Sequence, residues 1–128
     1  MKNGRLWVLG LLLLGSCAGI FAVWHWSLPE NAVRWTFTQF HMSLERKHLV
    51  PVRQIAADTV TVDGFPMTKD DFLASYVVPS TRGALTVSPC AALPGHWEAR
   101  MADRAWCFVK EGRAWKLHRV GRAPCDEK

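Results

Sequence analysis

Hydrophobic and polar positions divide the chain sharply near residue 26. From Leu6 to Trp26 no residue carries a formal charge, and His25 is the one titratable side chain other than Cys17. As a helix rising 1.5 Å per residue, this run is roughly 30 Å long, the thickness of a bilayer's hydrocarbon core. After it the pattern becomes amphipathic. Ser27-Leu28-Pro29-Glu30 reads as a capping box, with Pro29 tolerated in a first turn, and predicts a new helix to about His48. Val33, Phe37, Phe40 and Leu44 recur at helical spacing and form its inward face, and Pro51 enforces an end nearby. Thr59 to Asp63 alternates polar and apolar, a half-buried strand closed by the Asp63-Gly64 turn. Thr68 reads as the N-cap of a second helix, with Asp70 and Asp71 at its positive end, Phe72, Leu73 and Tyr76 inward, and Pro79 as its stop. Strands follow at Leu85–Ser88, Trp97–Met101, Ala105–Lys110 and Ala114–Val120, the last two flanking Glu111-Gly112-Arg113. Trp106 and Phe108 share one face of their strand, as do Trp115 and Leu117. The expected fold is α+β: an N-terminal transmembrane helix, then a small domain of two helices packed on a curved antiparallel sheet.

The flanks of the apolar run orient it. Lys2 and Arg5 precede it, while Arg34 is the first cation after it, beyond Glu30. The positive-inside rule puts residues 1–5 in the cytoplasm, 6–26 in the membrane and 27–128 outside, which in a Gram-negative cell is the periplasm. Trp7, Trp24 and Trp26 mark the two interfaces. Two other readings deliver the domain to the same side. Leu14-Gly15-Ser16-Cys17 resembles a lipobox that would lipidate Cys17, and Ser16-Cys17-Ala18 passes as a signal-peptidase site. The apolar stretch from Gly19 to Trp26 favours an uncut anchor. Gly15 and Gly19 form a Gly-x-x-x-Gly pair, the small-residue face through which two anchors would dimerise.

Cysteine usage agrees with an oxidising compartment. Of four cysteines, Cys90, Cys107 and Cys125 follow the anchor, so one disulfide and one free thiol are expected. The tail from Gly121 to Pro124 turning back along the last hairpin would bring Cys125 to Cys107, leaving Cys90 free. No Cys-x-x-Cys or His/Cys ligand spacing is present, so neither a metal nor another cofactor is expected. The net charge of +5 includes Lys2 and Arg5, and the remainder is too sparse for a nucleic-acid stripe. About 100 residues beyond the anchor suffice for one core and one domain.

The stretch Val52-Arg53-Gln54-Ile55-Ala56-Ala57-Asp58-Thr59-Val60-Thr61-Val62-Asp63-Gly64, the helix start Thr68-Lys69-Asp70-Asp71-Phe72-Leu73 and the hairpin Glu111-Gly112-Arg113-Ala114-Trp115-Lys116-Leu117 resemble the nuclear transport factor two-like superfamily, the cone fold shared with ketosteroid isomerase and SnoaL-like proteins. Asp58-Thr59 stands where that family often has two acids. The resemblance implies a helix-lined cone whose members are enzymes, binding modules or scaffolds, so the fold alone does not assign an activity. One branch is similar in build: the inner-membrane scaffold proteins of type IV secretion systems, with one N-terminal span and one periplasmic domain. Val62 to Phe72 is also similar to the entry of membrane-anchored folding factors with parvulin domains, but no such domain follows.

An enzyme or ligand binder of the cone type would place a polar group in an apolar cavity, and His41, Tyr76 and Asp58 are the candidates; His118 points to the opposite face from Trp115 and Leu117. No nucleophile–base spacing and no phosphate loop is present. The expected function is therefore non-enzymatic: a scaffold or binding domain with protein partners in an envelope complex. A small enzyme or ligand binder using the cavity is the alternative. A deep pocket at His41 or Tyr76 would favour the alternative, and an exposed apolar patch would favour the scaffold.

Overall fold

The computed structural model describes residues 2–78 and 84–125, without the side chains of Lys2 and residues 25–27. Its elements are α1 (Lys2–Ser27), α2 (Pro29–Glu45), α3 (Leu49–Ile55), β1 (Ala56–Val62), β2 (Phe65–Thr68), α4 (Lys69–Ser75), β3 (Thr86–Pro89), β4 (His96–Met101), β5 (Arg104–Glu111) and β6 (Ala114–Gly121). The class is α+β, with one sheet of six strands in the order β2-β1-β6-β5-β4-β3.

The N-terminal helix α1 includes a 22-residue stretch, Asn3–Trp24, long and apolar enough to cross a membrane, and none of it is buried against the domain. The N-cap position of α2 falls on Leu28 and not on the expected Ser27. The helix continues through Ser27, and Leu28 alone is extended, at φ −62° and ψ 134°, before α2 begins at Pro29. The cause is local: the proline ring disfavours the helical conformation at the residue before it. The carbonyl of Leu28 still accepts from Ala32 N–H at 3.0 Å, so α2 starts at once.

Helix α2 ends at Glu45, earlier than expected, in a Schellman arrangement. Lys47, at φ 59°, takes the left-handed position, with Lys47 N–H bonded to Leu44 O and His48 N–H to Ser43 O. Pro51 then lies within the first turn of α3, where its missing N–H costs no helical bond. Neither α3 nor the four-residue edge strand β2 was expected. Pro66 sits in β2, and an edge is where a strand tolerates proline. Thr68 caps α4 as expected, its hydroxyl accepting from Asp71 N–H at 3.2 Å. That helix ends at Ser75, with Tyr76 already extended; Pro79, the expected stop, lies outside the described residues.

One core joins the helices to the sheet. Val33, Phe37 and Phe40 of α2, Val52 of α3 and Phe72 of α4 pack on Val60, Ala99, Trp106, Phe108, Leu117 and Val120. Tight turns make β3 to β6 an antiparallel meander, and Gly112, at φ 65°, closes its last hairpin. The sheet is mixed, not antiparallel throughout. The meander returns β6 beside β1, and the two run parallel, with a register break between Ala56 and Thr61. Such a pair needs no connecting turn, so no local signal announces it.

The C-terminal tail covers the other face of the sheet. Cys107 pairs laterally with Glu98 and Arg119, and its side chain alternates with those of Trp106 and Phe108. It is nevertheless fully buried, as is Pro124. Arg100 donates to the carbonyl of Arg122 at 2.9 Å and to Glu98 at 2.5 Å, and Arg119 donates to Pro124 O at 3.4 Å. The tail is bridged to the sheet by a disulfide from Cys125 to Cys90, with Cα atoms 5.5 Å apart, and Cys107 keeps the free thiol. The expected Cys107–Cys125 pairing, with Cys90 free, is corrected here. The tail crosses the sheet to the loop after β3, which Cys90 anchors by bonding its amide to His96 O at 2.9 Å.

Candidate functional site

Two of the three expected cavity residues meet. His41 leaves α2 one residue after Phe40, and Tyr76 follows the end of α4. The Tyr76 hydroxyl lies 2.6 Å from His41 Nε2, and Trp106 Nε1–H donates to the same oxygen at 3.1 Å. His41 Nδ1 is 3.0 Å from the carbonyl of Phe37. A carbonyl only accepts, so Nδ1 carries the proton and Nε2 accepts from Tyr76. Every polar atom is thus paired in one direction: indole to phenol, phenol to imidazole, imidazole to backbone. The rings of Phe37, Trp106 and Phe40 surround the imidazole, with centroids 4.3, 5.2 and 5.2 Å away.

Burial pushes the His41 pKa below 6.5, opposed by the bond to Phe37 and by Glu45, and raises Tyr76 to about 12. Both are neutral near pH 7. The sequence of bonds begins at an indole and ends at a backbone carbonyl, so it holds protons in place without presenting one to a ligand. The grooves at Asp58 and at Trp35 are lined by other residues.

This arrangement has a pH signature. The unfolded chain binds a proton at His41 near pH 6.5 and the folded chain only at lower pH. The His41 contribution is therefore complete above about 6.5 and is lost as pH falls through and below that value. His41→Gln is expected to flatten the fall in urea midpoint between about pH 7.5 and 5. An equally steep fall in the variant would assign the acid sensitivity elsewhere.

Asp58 does not join this pair. It lies exposed on β1, 3.6 Å from Lys69, at an outward polar groove of about 360 Å³ shared with Thr59, Glu111, Lys116 and His118. His118 Nε2 and Glu111 Oε1 are 2.7 Å apart across the last hairpin. These are exposed pairs of the kind that contribute little stability.

A larger groove lies elsewhere. About 640 Å³ in volume, it opens between the first turns of α2, the end of α3 and the start of β6. Ala32, Ile55 and Trp115 give it apolar lining, beside Thr36, whose hydroxyl donates to Ala32 O, and Gln54, Arg113 and Lys116 add polar groups. Trp35 stands over it with 55% of its surface exposed. Lys116 Nζ donates to Gln54 O and ties β6 to the carbonyl end of α3, the negative end of that helix. Trp35 sits off the inward face of α2 formed by Val33, Phe37 and Phe40, and that is the signal a sequence reading had available.

The three sulfurs of Cys90, Cys107 and Cys125 lie within 4.8 Å of one another. With the bridge closed, Cys107 alone offers a thiol, so the trio is not a three-ligand metal set in this form. Burial pushes its pKa up to about 11, against the nearby Arg119. On α1, Gly15 and Gly19 face open space and Cys17 is exposed, so that surface is free for either a second helix or lipid.

No protein-family model and no curated protein matches this sequence.

Proposed function

We propose that the chain is a single-pass inner-membrane protein whose periplasmic domain is a binding or scaffold module of an envelope complex, akin to the nuclear transport factor two-like scaffold domains of secretion machinery. The observation that carries this reading is the groove beneath Trp35. It has apolar lining with Arg113 and Lys116 beside it, and Ala32 lies within a few residues of the end of α1. Exposed tryptophan beside arginine is the composition of interaction hot spots. An apolar side chain flanked by an acidic group, on a partner held at the same membrane surface, is the complement of that groove. The disulfide supports an extracytoplasmic domain. The order of helices, hairpin, helix and meander supports the cone resemblance, with α3 and β2 as the added elements. The internal pairing of the His41–Tyr76–Trp106 group favours a structural role for these side chains.

A photo-crosslinking residue at position 35, in cells of the source organism, is expected to yield a discrete protein adduct. The same residue at Lys110, exposed on β5, is expected to yield none. Lipid adducts alone, or equal labelling from both positions, would rule the groove out. An alkaline phosphatase fused after residue 128 is expected to be active; activity of a cytoplasmic reporter there instead would reverse the topology.

A further inference from the structure

We propose that Cys90, Cys107 and Cys125 form a thiol–disulfide exchange site, in which Cys107 attacks Cys90, a Cys90–Cys107 bridge forms, and Cys125 is released together with the C-terminal tail.

Three observations lead there. All three sulfurs lie within 4.8 Å, so the free thiol is already beside the bond it would attack. The cluster is enclosed: Cys107 is fully buried and Cys90 is 6% exposed, while Cys125 is partly exposed. In exchange, the sulfur that stabilises negative charge better leaves faster. The more solvated Cys125 is that sulfur, which directs the attack to Cys90. Among the described residues, the tail's hydrogen bonds to the sheet include two carbonyls accepting from Arg100 and Arg119.

The step balances without an outside oxidant or reductant. Cys107 gives its proton to solvent base, and its thiolate forms the new S–S bond to Cys90. The Cys90–Cys125 bond breaks, and Cys125 leaves as a thiolate that takes up a proton. One disulfide and one thiol exist before and after. The free thiol moves from the middle of β5 to a tail able to leave the sheet, where it can form a mixed disulfide with a partner. The raised pKa of Cys107 keeps the exchange slow near neutral pH and sets its pH dependence.

The test uses the full oxidised chain in detergent, with Cys17→Ser so that every remaining thiol belongs to the cluster. After incubation at a series of pH values, acid quenching, alkylation under denaturing conditions and peptide mapping locate the free thiol. The label is expected to migrate from Cys107 to Cys125, with a rate rising about tenfold per pH unit below about 11. Trypsin cleavage after Arg122 should rise in step. In a further Cys125→Ser variant, Cys90 and Cys107 are expected to pair. Label that stays on Cys107, or that appears on Cys90, would overturn the proposal. So would two free thiols in a folded Cys125→Ser chain. If that variant does not fold, the migration experiment decides alone.

Discussion

Trp106→Ala is expected to destabilise the domain by about 4 kcal/mol, at the upper end for a single core truncation. Trp106 is fully buried at the centre of β5, and its ring meets Phe37 edge-on at 4.8 Å and His41 at 5.2 Å. The substitution leaves a void against helix α2. It also removes the donor to the Tyr76 hydroxyl, which among the described residues then keeps only His41. Trp106→Phe fills most of the void and loses only the donor, so about 2 kcal/mol is expected there. Urea midpoints followed by near-ultraviolet circular dichroism on the detergent-solubilised chain separate the two. If the alanine variant loses less than about 1 kcal/mol, the core is not organised around this ring.

Reducing the disulfide is expected to lower stability by about 4 kcal/mol, the loop-closure entropy for a bridge of this span. Cys90 and Cys125 are 35 residues apart, and the loop they close contains β4, β5 and β6. Opening it frees the unfolded chain over half of the sheet and lets the tail lift from Cys107 and Pro124 in the folded state. The measurement is the urea midpoint with and without excess dithiol. An unchanged midpoint would mean that the bridge constrains neither state.

Elements whose determinants are local were legible in the sequence. The inward face of α2, the Thr68 cap and the strands of the meander depend on neighbours within a few residues, and they form as expected; β1 forms too, but its burial does not alternate strictly, with Ala56 and Ala57 both buried and Asp58 and Thr59 both exposed. What was missed depends on distance or on competition. Ser27 carries a good capping signal, yet Pro29 acts on Leu28 and moves the break by one residue. Helix α3 has seven residues and a proline near its start, too short for periodicity to register. The parallel pairing of β1 with β6 and the path of the tail to Cys90 join segments 35 or more residues apart. Of the candidate site, His41 and Tyr76 were each legible as cavity candidates, but neither their contact nor the part of Trp106 in it was. Asp58 falls on the far side because the strand turns it outward, toward Lys69.

Leu28 is the whole of the connection between α1 and α2, and its position before a proline leaves it little rotational choice. If α1 is set in a bilayer, the domain has no leash. Such a domain would stay at the lipid surface, and a turn of the anchor about its own axis would become a sweep of the groove across that surface. If two anchors pair through Gly15 and Gly19, the pairing face would therefore fix the compass bearing of both Trp35 grooves. Joint and domain would then behave as a crank, turning a choice of contact within the membrane into a choice of direction outside it.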